Sequence, residues 1–136
     1  MPDLPPRLKT YVEELASLDK LTRTMLLLDY ADTLGEYPEA LKQDARLVLG
    51  CVSRVWLDAT LEEDAMRYRA AAEGQIAQGM VAMLVNALSG EKPESVLAVD
   101  PAFIREAGLS ESLTAARQGG LSSMLKRMQQ EAARYV

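Results

Sequence analysis

Cys51 carries the most distinctive chemistry in this sequence, because it is the only cysteine among 136 residues. A single thiol can form neither an internal disulfide nor a metal site built from several thiolates. It is therefore either a reactive group or a small core residue, and free cysteine is often buried and inert. Two neighbours favour reactivity: Gly50 lets the backbone bend and a partner approach closely, and Arg54 supplies positive charge that favours a thiolate. From these residues alone both interpretations stay open.

The residue types that the chain lacks exclude several classes of function. There is no histidine, which excludes Ser-His-Asp and Cys-His catalysis within one chain and nearly every transition-metal site. An all-carboxylate Mg²⁺ or Ca²⁺ site stays possible, but the sequence has neither an EF-hand loop nor a Walker A loop, and we expect no metal and no cofactor. The net charge of −5 and the lack of a basic stripe argue against nucleic-acid binding.

Length and hydropathy predict the size of the domain and its location. A chain of 136 residues suits a single domain, 1–136, with a sizeable core. Its first residues, MPDLPPR, lack an apolar signal region, and no stretch approaches the roughly 20 apolar residues of a membrane span. An unpaired thiol also suits a reducing compartment. We therefore expect a cytoplasmic protein that does not contact a membrane.

The first third of the chain predicts a helical hairpin. Apolar residues recur at intervals of three and four over residues 4–18, which is typical of an amphipathic helix. Asp19 is placed to cap a second helix, which Gly35 would end. The apolar stripe predicted for this second helix consists of Leu21, Met25, Leu28 and Leu34.

The middle of the chain predicts a β-hairpin. Residues 52–61 are rich in Val, Trp, Leu and Thr, and residues 65–71 alternate between apolar and basic side chains. The acidic residues 62–64 between these two segments are typical of a short polar turn. Such alternation indicates that one face of the sheet packs on helices and the other contacts water. A helical turn is expected around Pro38–Lys42 and a minor strand near 46–49.

The last part of the chain predicts further helices: 74–89, two short helices that begin at Pro93 and at Pro101 behind an Asp100 cap, and a last helix from Leu121 to Tyr135. Gly79 interrupts the first of these, so it indicates either a close contact with another element or a tolerated weakness. The order of helices, strands and helices predicts an α+β fold. A small antiparallel β-sheet would pack against helices, with the helical hairpin at the N-terminus and a long C-terminal helix.

Three segments together resemble a known family. Residues 50–56, GCVSRVW, are similar to a G-C-x-S-x-V-W signature, and residues 113–121, LTAARQGGL, are similar to an L-T-x-x-R-x-x-G-L run. Residues 76–79, IAQG, followed by an apolar helix, resemble a third segment. Taken in chain order, the three segments resemble the SufE family of sulfur-acceptor proteins, which includes CsdE. The chain departs from the family at 72–73, where Ala-Glu replaces a common Ser-Asp, and at 115–116, where Ala-Ala replaces a common Pro-Ser.

The resemblance implies a sulfur carrier with Cys51 as the persulfide acceptor. A pyridoxal-phosphate-dependent cysteine desulfurase of the SufS or CsdA type would donate the sulfur, and the carrier would stimulate this desulfurase. The carrier would then pass the sulfur to a downstream iron–sulfur assembly scaffold, without a cofactor of its own and without being an enzyme by itself. Persulfide transfer requires a thiolate that another protein can reach, but idle thiolates are prone to oxidation. We therefore expect Cys51 to be at least partly shielded in the free protein.

Five further residues are candidates for shaping the Cys51 loop or for docking the partner: Gly50, Ser53, Arg54, Glu73 and Arg117. Ser53 would bond the loop or the thiolate, or only stabilise a turn. Arg54 would favour the thiolate, touch the partner or simply be solvated. Glu73 is expected first to cap the third helix, and Arg117 to dock the partner or shape the Cys51 loop.

Two other functions remain open at this point. One is an iron–sulfur cluster scaffold, although one cysteine without histidine offers few ligands for a cluster. The other is a desulfurase-binding regulatory module whose thiol is incidental.

Overall fold

A computed structural model describes residues 4–136, which form helices and one β-hairpin. In chain order the elements are α1 (Pro6–Ala16), α2 (Lys20–Ala31), β1 (Val55–Glu62), β2 (Ala65–Ala72), α3 (Gln75–Leu88), α4 (Pro93–Leu97), α5 (Phe103–Glu106), α6 (Leu109–Ser112) and α7 (Ala115–Ala133). Two short 3₁₀ turns, Glu39–Leu41 and Asp44–Arg46, lie between α2 and β1. The predicted α+β fold, with its N-terminal helical hairpin, small antiparallel sheet and long last helix, is confirmed.

The cap predicted for α2 is present, but the buried face predicted for this helix is wrong. Asp19 accepts a hydrogen bond from the Thr22 backbone N–H at 2.8 Å. The predicted apolar stripe faces solvent instead, with exposed fractions of 71% at Leu21, 57% at Met25 and 36% at Leu28. The helix ends at Ala31, four residues before Gly35.

The face of α2 that is buried contains a charged residue, Arg23. Its Nε donates to the Leu15 carbonyl at 2.9 Å, and its two Nη atoms donate to Leu18 at 2.6 Å and to Gly108 at 2.9 Å. A guanidinium whose donors are satisfied by carbonyls can be buried without an orphaned charge. This hydrogen bonding draws the Arg23–Leu27–Tyr30 face inward, which the periodicity of apolar residues does not reveal.

The β-hairpin is antiparallel and regular from the Val55–Ala72 pair to the Glu62–Ala65 pair. Its turn is two residues, Glu63 and Asp64, with φ of 50° and 66°, because a turn with two positive φ values matches the twist of the strands. The predicted alternation in β2 is confirmed by its burial pattern. β1 begins three residues later than residue 52, because residues 52–54 belong to a loop. The predicted minor strand is reduced to a single bridge between Leu47 and Trp56.

Helix α3 is the centre of the core, since ten of its fourteen residues are buried. It packs against α1, α2, β2 and α7. A Cβ at Gly79 would lie 1.9 Å from the Leu27 carbonyl oxygen of α2. The close contact predicted for Gly79 is therefore confirmed: glycine allows the backbones of α2 and α3 to approach.

The C-terminal helices depart from the prediction at their starts. Pro93 begins α4 as expected, whereas Asp100 accepts from the Ala102 N–H at 2.8 Å and α5 starts only after this turn, at Phe103. Helix α6 was not predicted. Helix α7 begins six residues before Leu121, because Thr114 caps it by accepting from the Arg117 N–H at 3.2 Å.

No helix within residues 4–136 combines the length and the apolar character that a membrane crossing requires.

Candidate functional site

Cys51 lies on a short loop, residues 49–53, that is held at its two ends. At the upstream end the Val48 N–H donates to the Val55 carbonyl at 2.8 Å. At the downstream end the Glu73 N–H donates to the Arg54 carbonyl at 2.9 Å. Leu49 and Gly50 form a turn, and residues 49–53 make no backbone hydrogen bond to distant parts of residues 4–136. We call residues 49–53 the thiol loop; its two ends are tied by backbone hydrogen bonds, and its middle is held by the contacts of Gly50 and Cys51 with α7.

Gly50 gives the thiol loop its close approach to α7. Its φ is +93°, in the region that side chains rarely adopt, and a Cβ there would lie 2.4 Å from Ser123 Oγ. The backbone conformation therefore favours glycine at this position, and a Cβ there would also press against Ser123 of α7.

The thiol itself points inward and is half-buried. Cys51 Sγ lies 3.5 Å from the carbonyl oxygen of Gly120, to which it donates. It occupies a cavity of about 30 Å³ whose lining is mostly apolar: Val52, Ser53, Val55, Ala77, Met80, Val81, Ala116, Arg117, Gly120, Leu121 and Met124. Burial raises the pKa of the Cys51 thiol, so the resting group is the neutral thiol. The expectation that Cys51 is partly shielded in the free protein is confirmed.

The two residues that flank Gly50 and Cys51 are much more exposed than Cys51 itself. Leu49 and Val52 are exposed to 84% and 74%, so two apolar side chains face solvent on either side of a half-buried thiol. Sequence reasoning missed both. The sequence did contain a signal for this: in a short loop such as Leu49-Gly50-Cys51-Val52, the side chains of Leu49, Cys51 and Val52 cannot all point toward the core.

Arg54 and Glu73 form a bidentate ion pair at the downstream end of the thiol loop. Arg54 Nε and Nη2 lie 2.7 and 2.9 Å from the two carboxylate oxygens of Glu73. Hydrogen bonding from Arg54 lowers the pKa of the Glu73 carboxyl. The guanidinium also lies 5.4 Å from the centroid of the Trp56 ring. Arg54 thus pairs with Glu73 and lies near the Trp56 ring. The pKa shift of Cys51 is caused by burial and not by the charge of Arg54.

The cap predicted for Glu73 is not formed. Gly74 is the N-cap residue of α3, and no side chain caps that helix. Glu73 continues the β ladder opposite Arg54, because its N–H bonds the Arg54 carbonyl. Side chains of directly opposed residues lie on the same face of a sheet, which brings the carboxylate to Arg54 rather than to the helix end.

The other two candidates line the same cavity as the thiol. Ser53 packs against the start of α3, since a Cβ at Gly74 would lie 3.4 Å from Ser53 Oγ. Arg117 is half-buried in the first turn of α7 and forms part of the cavity wall. The structure therefore brings Gly50, Ser53 and Arg117 to Cys51, with the Arg54–Glu73 pair at the edge of the group.

A further residue, Arg127 of α7, contacts the upstream end of the thiol loop. Its Nη1 donates to the Leu47 carbonyl and its Nη2 to the Ala45 carbonyl, both at 2.9 Å. Sequence reasoning missed Arg127, because a side chain that bonds backbone carbonyls far away in sequence leaves no motif.

Within residues 4–136 there is no group of three or more His, Cys, Asp or Glu side chains placed to hold one metal ion.

Comparison with known proteins gives relatives in both sequence and structure. The family profile of SufE, described as an Fe-S metabolism associated domain, matches residues 9–132. An uncharacterised SufE-like protein of Synechocystis is 35% identical over 133 residues, which cover 97% of this chain and 84% of that protein. The sulfur acceptor protein CsdE of Escherichia coli is 36% identical over 93 residues, which cover 67% of this chain and 63% of that protein. The solution structure of a hypothetical protein from Thermus thermophilus matches with a TM-score of 0.85 at 30% identity, over 97% of each chain.

Proposed function

The chain belongs to the SufE family of proteins associated with iron–sulfur metabolism, and from this membership we propose that it is a sulfur carrier. In this role Cys51 accepts persulfide sulfur from a pyridoxal-phosphate-dependent cysteine desulfurase of the SufS or CsdA type and passes it to an iron–sulfur assembly scaffold. The observation that carries the proposal is the position of the thiol: half-buried on a loop whose backbone is hydrogen-bonded at both ends and whose middle is held by contacts with α7.

The resting position of Cys51 suits a carrier between reactions. The neutral thiol reacts slowly with oxidants, because the thiolate is the reactive form and burial disfavours it. Among residues 4–136, the Cys51 side chain is hydrogen-bonded only to Gly120, at the long distance of 3.5 Å, and this bond must break when the thiol leaves the cavity. Once in water, the thiol regains an ordinary pKa and with it a larger thiolate fraction.

The thiol loop is long enough to reach into another protein. Six residue steps join Val48 to Arg54, which is about 20 Å of extended chain. A loop that pivots at both ends can therefore carry Cys51 roughly 10 Å outward. Leu49 and Val52, which are already exposed, would enter the partner with it and be buried there, so the entrance to the donor's active site should be apolar.

The transfer step is an exchange of one sulfur atom between two cysteines. The Cys51 thiolate attacks the outer sulfur of the donor's persulfide, a new S–S bond forms at Cys51, and the S–S bond of the donor breaks. The donor cysteine leaves as a thiolate with the electron pair of the broken bond, so no external oxidant or reductant is needed. Removing the persulfide frees the desulfurase for another turnover, which accounts for the stimulation. An unpaired acceptor thiol requires a reducing compartment, and we place the protein in the cytoplasm on this ground.

The test is transfer of labelled sulfur. A desulfurase charged with ³⁵S-cysteine should label the wild-type chain and should not label Cys51→Ser, which keeps the size of the side chain and the fold. Mass spectrometry of the labelled chain should place the added sulfur on residue 51. Equal labelling of the two proteins would exclude Cys51 as the acceptor.

One observation favours a second candidate, a desulfurase-binding regulatory module with an incidental thiol. Burial raises the pKa of Cys51, and such a shift is also what a structural cysteine would show. The two functions differ after the thiol is blocked by alkylation. A carrier loses its stimulation of the desulfurase when Cys51 is alkylated, whereas a regulatory module keeps it.

A further inference from the structure

We propose that Arg127 is a positioning residue that sets the resting place of the thiol loop by fastening the loop's upstream end to α7. This inference rests on the proposed sulfur-carrier function and deepens it, because it assigns to Arg127 the control of how readily Cys51 leaves its cavity.

The contact is a double one and is well formed. The two Nη atoms of Arg127 reach the Leu47 and Ala45 carbonyls at 2.9 Å each, and the side chain is only 22% exposed. The planar guanidinium carries its donors in a fixed fork. It therefore holds two carbonyls, two residues apart, in one geometry, which a single-point contact would not do.

Arg127 lies on the face of α7 that contacts the thiol loop. Gly120, Ser123 and Arg127 are spaced by three and four residues, so they lie on one face of the helix. Along this face, the Gly120 carbonyl accepts from the Cys51 thiol, and Ser123 lies next to Gly50. Arg127 donates to the Leu47 carbonyl. The thiol acceptor and the anchor are thus about 10 Å apart on the same rigid helix.

The two ends of the thiol loop are held differently. The downstream end continues into β1, where the hairpin ladder and the Arg54–Glu73 pair fix it. The upstream end depends on the Val48–Val55 hydrogen bond and on Arg127. Without Arg127 the upstream end would rest on the Val48–Val55 hydrogen bond and the Leu47–Trp56 bridge. When these open, the mobile segment would extend upstream to Arg46, whose contact with Asp58 at 3.5 Å is the next tie to β1. A longer mobile segment spends more time open and loses more entropy when it docks.

Replacing Arg127 should not strand a buried charge. Its carboxylate partner, Glu131, also lies 3.0 Å from Arg134, so Glu131 keeps a cation when Arg127 is removed. Ala45 is exposed, so water can replace the lost donor at its carbonyl. Arg134 supplies a matched control, because Arg134→Met removes the same charge from the same carboxylate without touching the loop.

The experiment compares Arg127→Met, Arg127→Lys and Arg134→Met with the wild-type chain, using the rate of Cys51 alkylation by iodoacetamide. Arg127→Met should be alkylated faster by on the order of tenfold, because it loses two charge-assisted hydrogen bonds. Arg127→Lys can serve one carbonyl at a time and should fall between, and Arg134→Met should match the wild-type rate. Amide hydrogen exchange should accelerate at Leu47 and Val48 and not in α3, whereas a general loss of stability would accelerate both.

With a desulfurase, the same Arg127→Met protein should show a KM for the carrier raised severalfold at a similar kcat, as expected when docking must order a longer segment. An alkylation rate for Arg127→Met equal to that of Arg134→Met would overturn the inference. The alkylation and exchange measurements need no sulfur donor. If they change as expected while the wild-type chain accepts no sulfur, the anchor stands and the carrier function fails.

Discussion

The sulfur of Cys51 lies 3.5 Å from the carbonyl oxygen of Gly120, so the thiol loop packs against helix α7. Gly119 and Gly120 are adjacent in α7 but differ in what surrounds them. A Cβ at Gly120 would lie 3.8 Å from Cys51 Sγ, whereas a Cβ at Gly119 would meet nothing within 4 Å. The two positions therefore separate the effect of helix propensity from the effect of contact with the thiol.

The first prediction uses this pair of glycines. Alanine fits at either position, so Gly119→Ala and Gly120→Ala should each raise the free energy of unfolding by up to about 1 kcal/mol, the usual gain over glycine in a helix. Leucine should distinguish them, because only the side chain at 120 would grow into the place of Cys51. Gly120→Leu should expose the thiol and speed its alkylation, with Gly119→Leu unchanged. Equal alkylation rates for the two leucine variants would show that the thiol does not rest on Gly120.

The sequence predicted the α+β order correctly and singled out Cys51 as the candidate acceptor, because both inferences depend on local signals. Cys51 stands within a short motif, and the hairpin shows the alternation of a sheet with one wet face. The start of α7 was missed although its Thr114 cap was visible, because two glycines at 119–120 lower helix propensity. Packing of the helix against the thiol loop and the core outweighs that cost.

The contacts that could not be predicted join residues far apart in the chain. Arg23 lies outside the apolar stripe predicted for α2, yet it is buried because the carbonyls of Leu15, Leu18 and Gly108 accept its hydrogen bonds. Arg127 is 80 residues from Leu47. In both cases the partner is a backbone carbonyl, which every residue possesses, so the identity of the partner residue carries no signal.

The second prediction concerns the buried arginine of α2. Arg23→Met keeps a long side chain but removes the donors to three carbonyls near α1 and α6. Unsatisfied buried acceptors are costly, so the free energy of unfolding should fall by about 3 kcal/mol. Urea denaturation followed by circular dichroism measures the change. Arg134→Met, at an exposed site, is the control and should change the midpoint of urea denaturation little. A similarly small shift for Arg23→Met would show that the hydrogen bonds of Arg23 do not stabilise the fold.

The third prediction is a pH dependence of loop opening. Burial raises the pKa of Cys51, so the closed loop favours the neutral thiol. This preference is fully present below the ordinary thiol pKa of about 8.5 and is lost as the pH rises through the higher pKa of the closed state. The pH profile of alkylation should therefore have a midpoint above that of an unstructured peptide of residues 47–55. Gly120→Leu should shift the midpoint toward the peptide value, and identical midpoints for wild type and peptide would refute the prediction.

The last prediction tests the apolar pair that flanks the thiol. Leu49 is 84% exposed, so Leu49→Ser should leave the melting temperature nearly unchanged. If the side chain enters the desulfurase with Cys51, the variant loses the burial of one leucine, roughly 1.5–3 kcal/mol, which corresponds to a KM raised by about tenfold to a hundredfold.

Leu21 on α2 provides the control for this variant, because it is 71% exposed and lies outside the thiol loop. Leu21→Ser makes the same chemical change and should leave the KM of sulfur transfer at the wild-type value. An equal rise for both variants would mean that exposed leucines affect docking wherever they lie, and an unchanged KM for Leu49→Ser would mean that the partner does not bury this side of the loop. A rise confined to Leu49→Ser, with kcat preserved, is the result expected of a side chain that is buried on docking and plays no part in the exchange of sulfur.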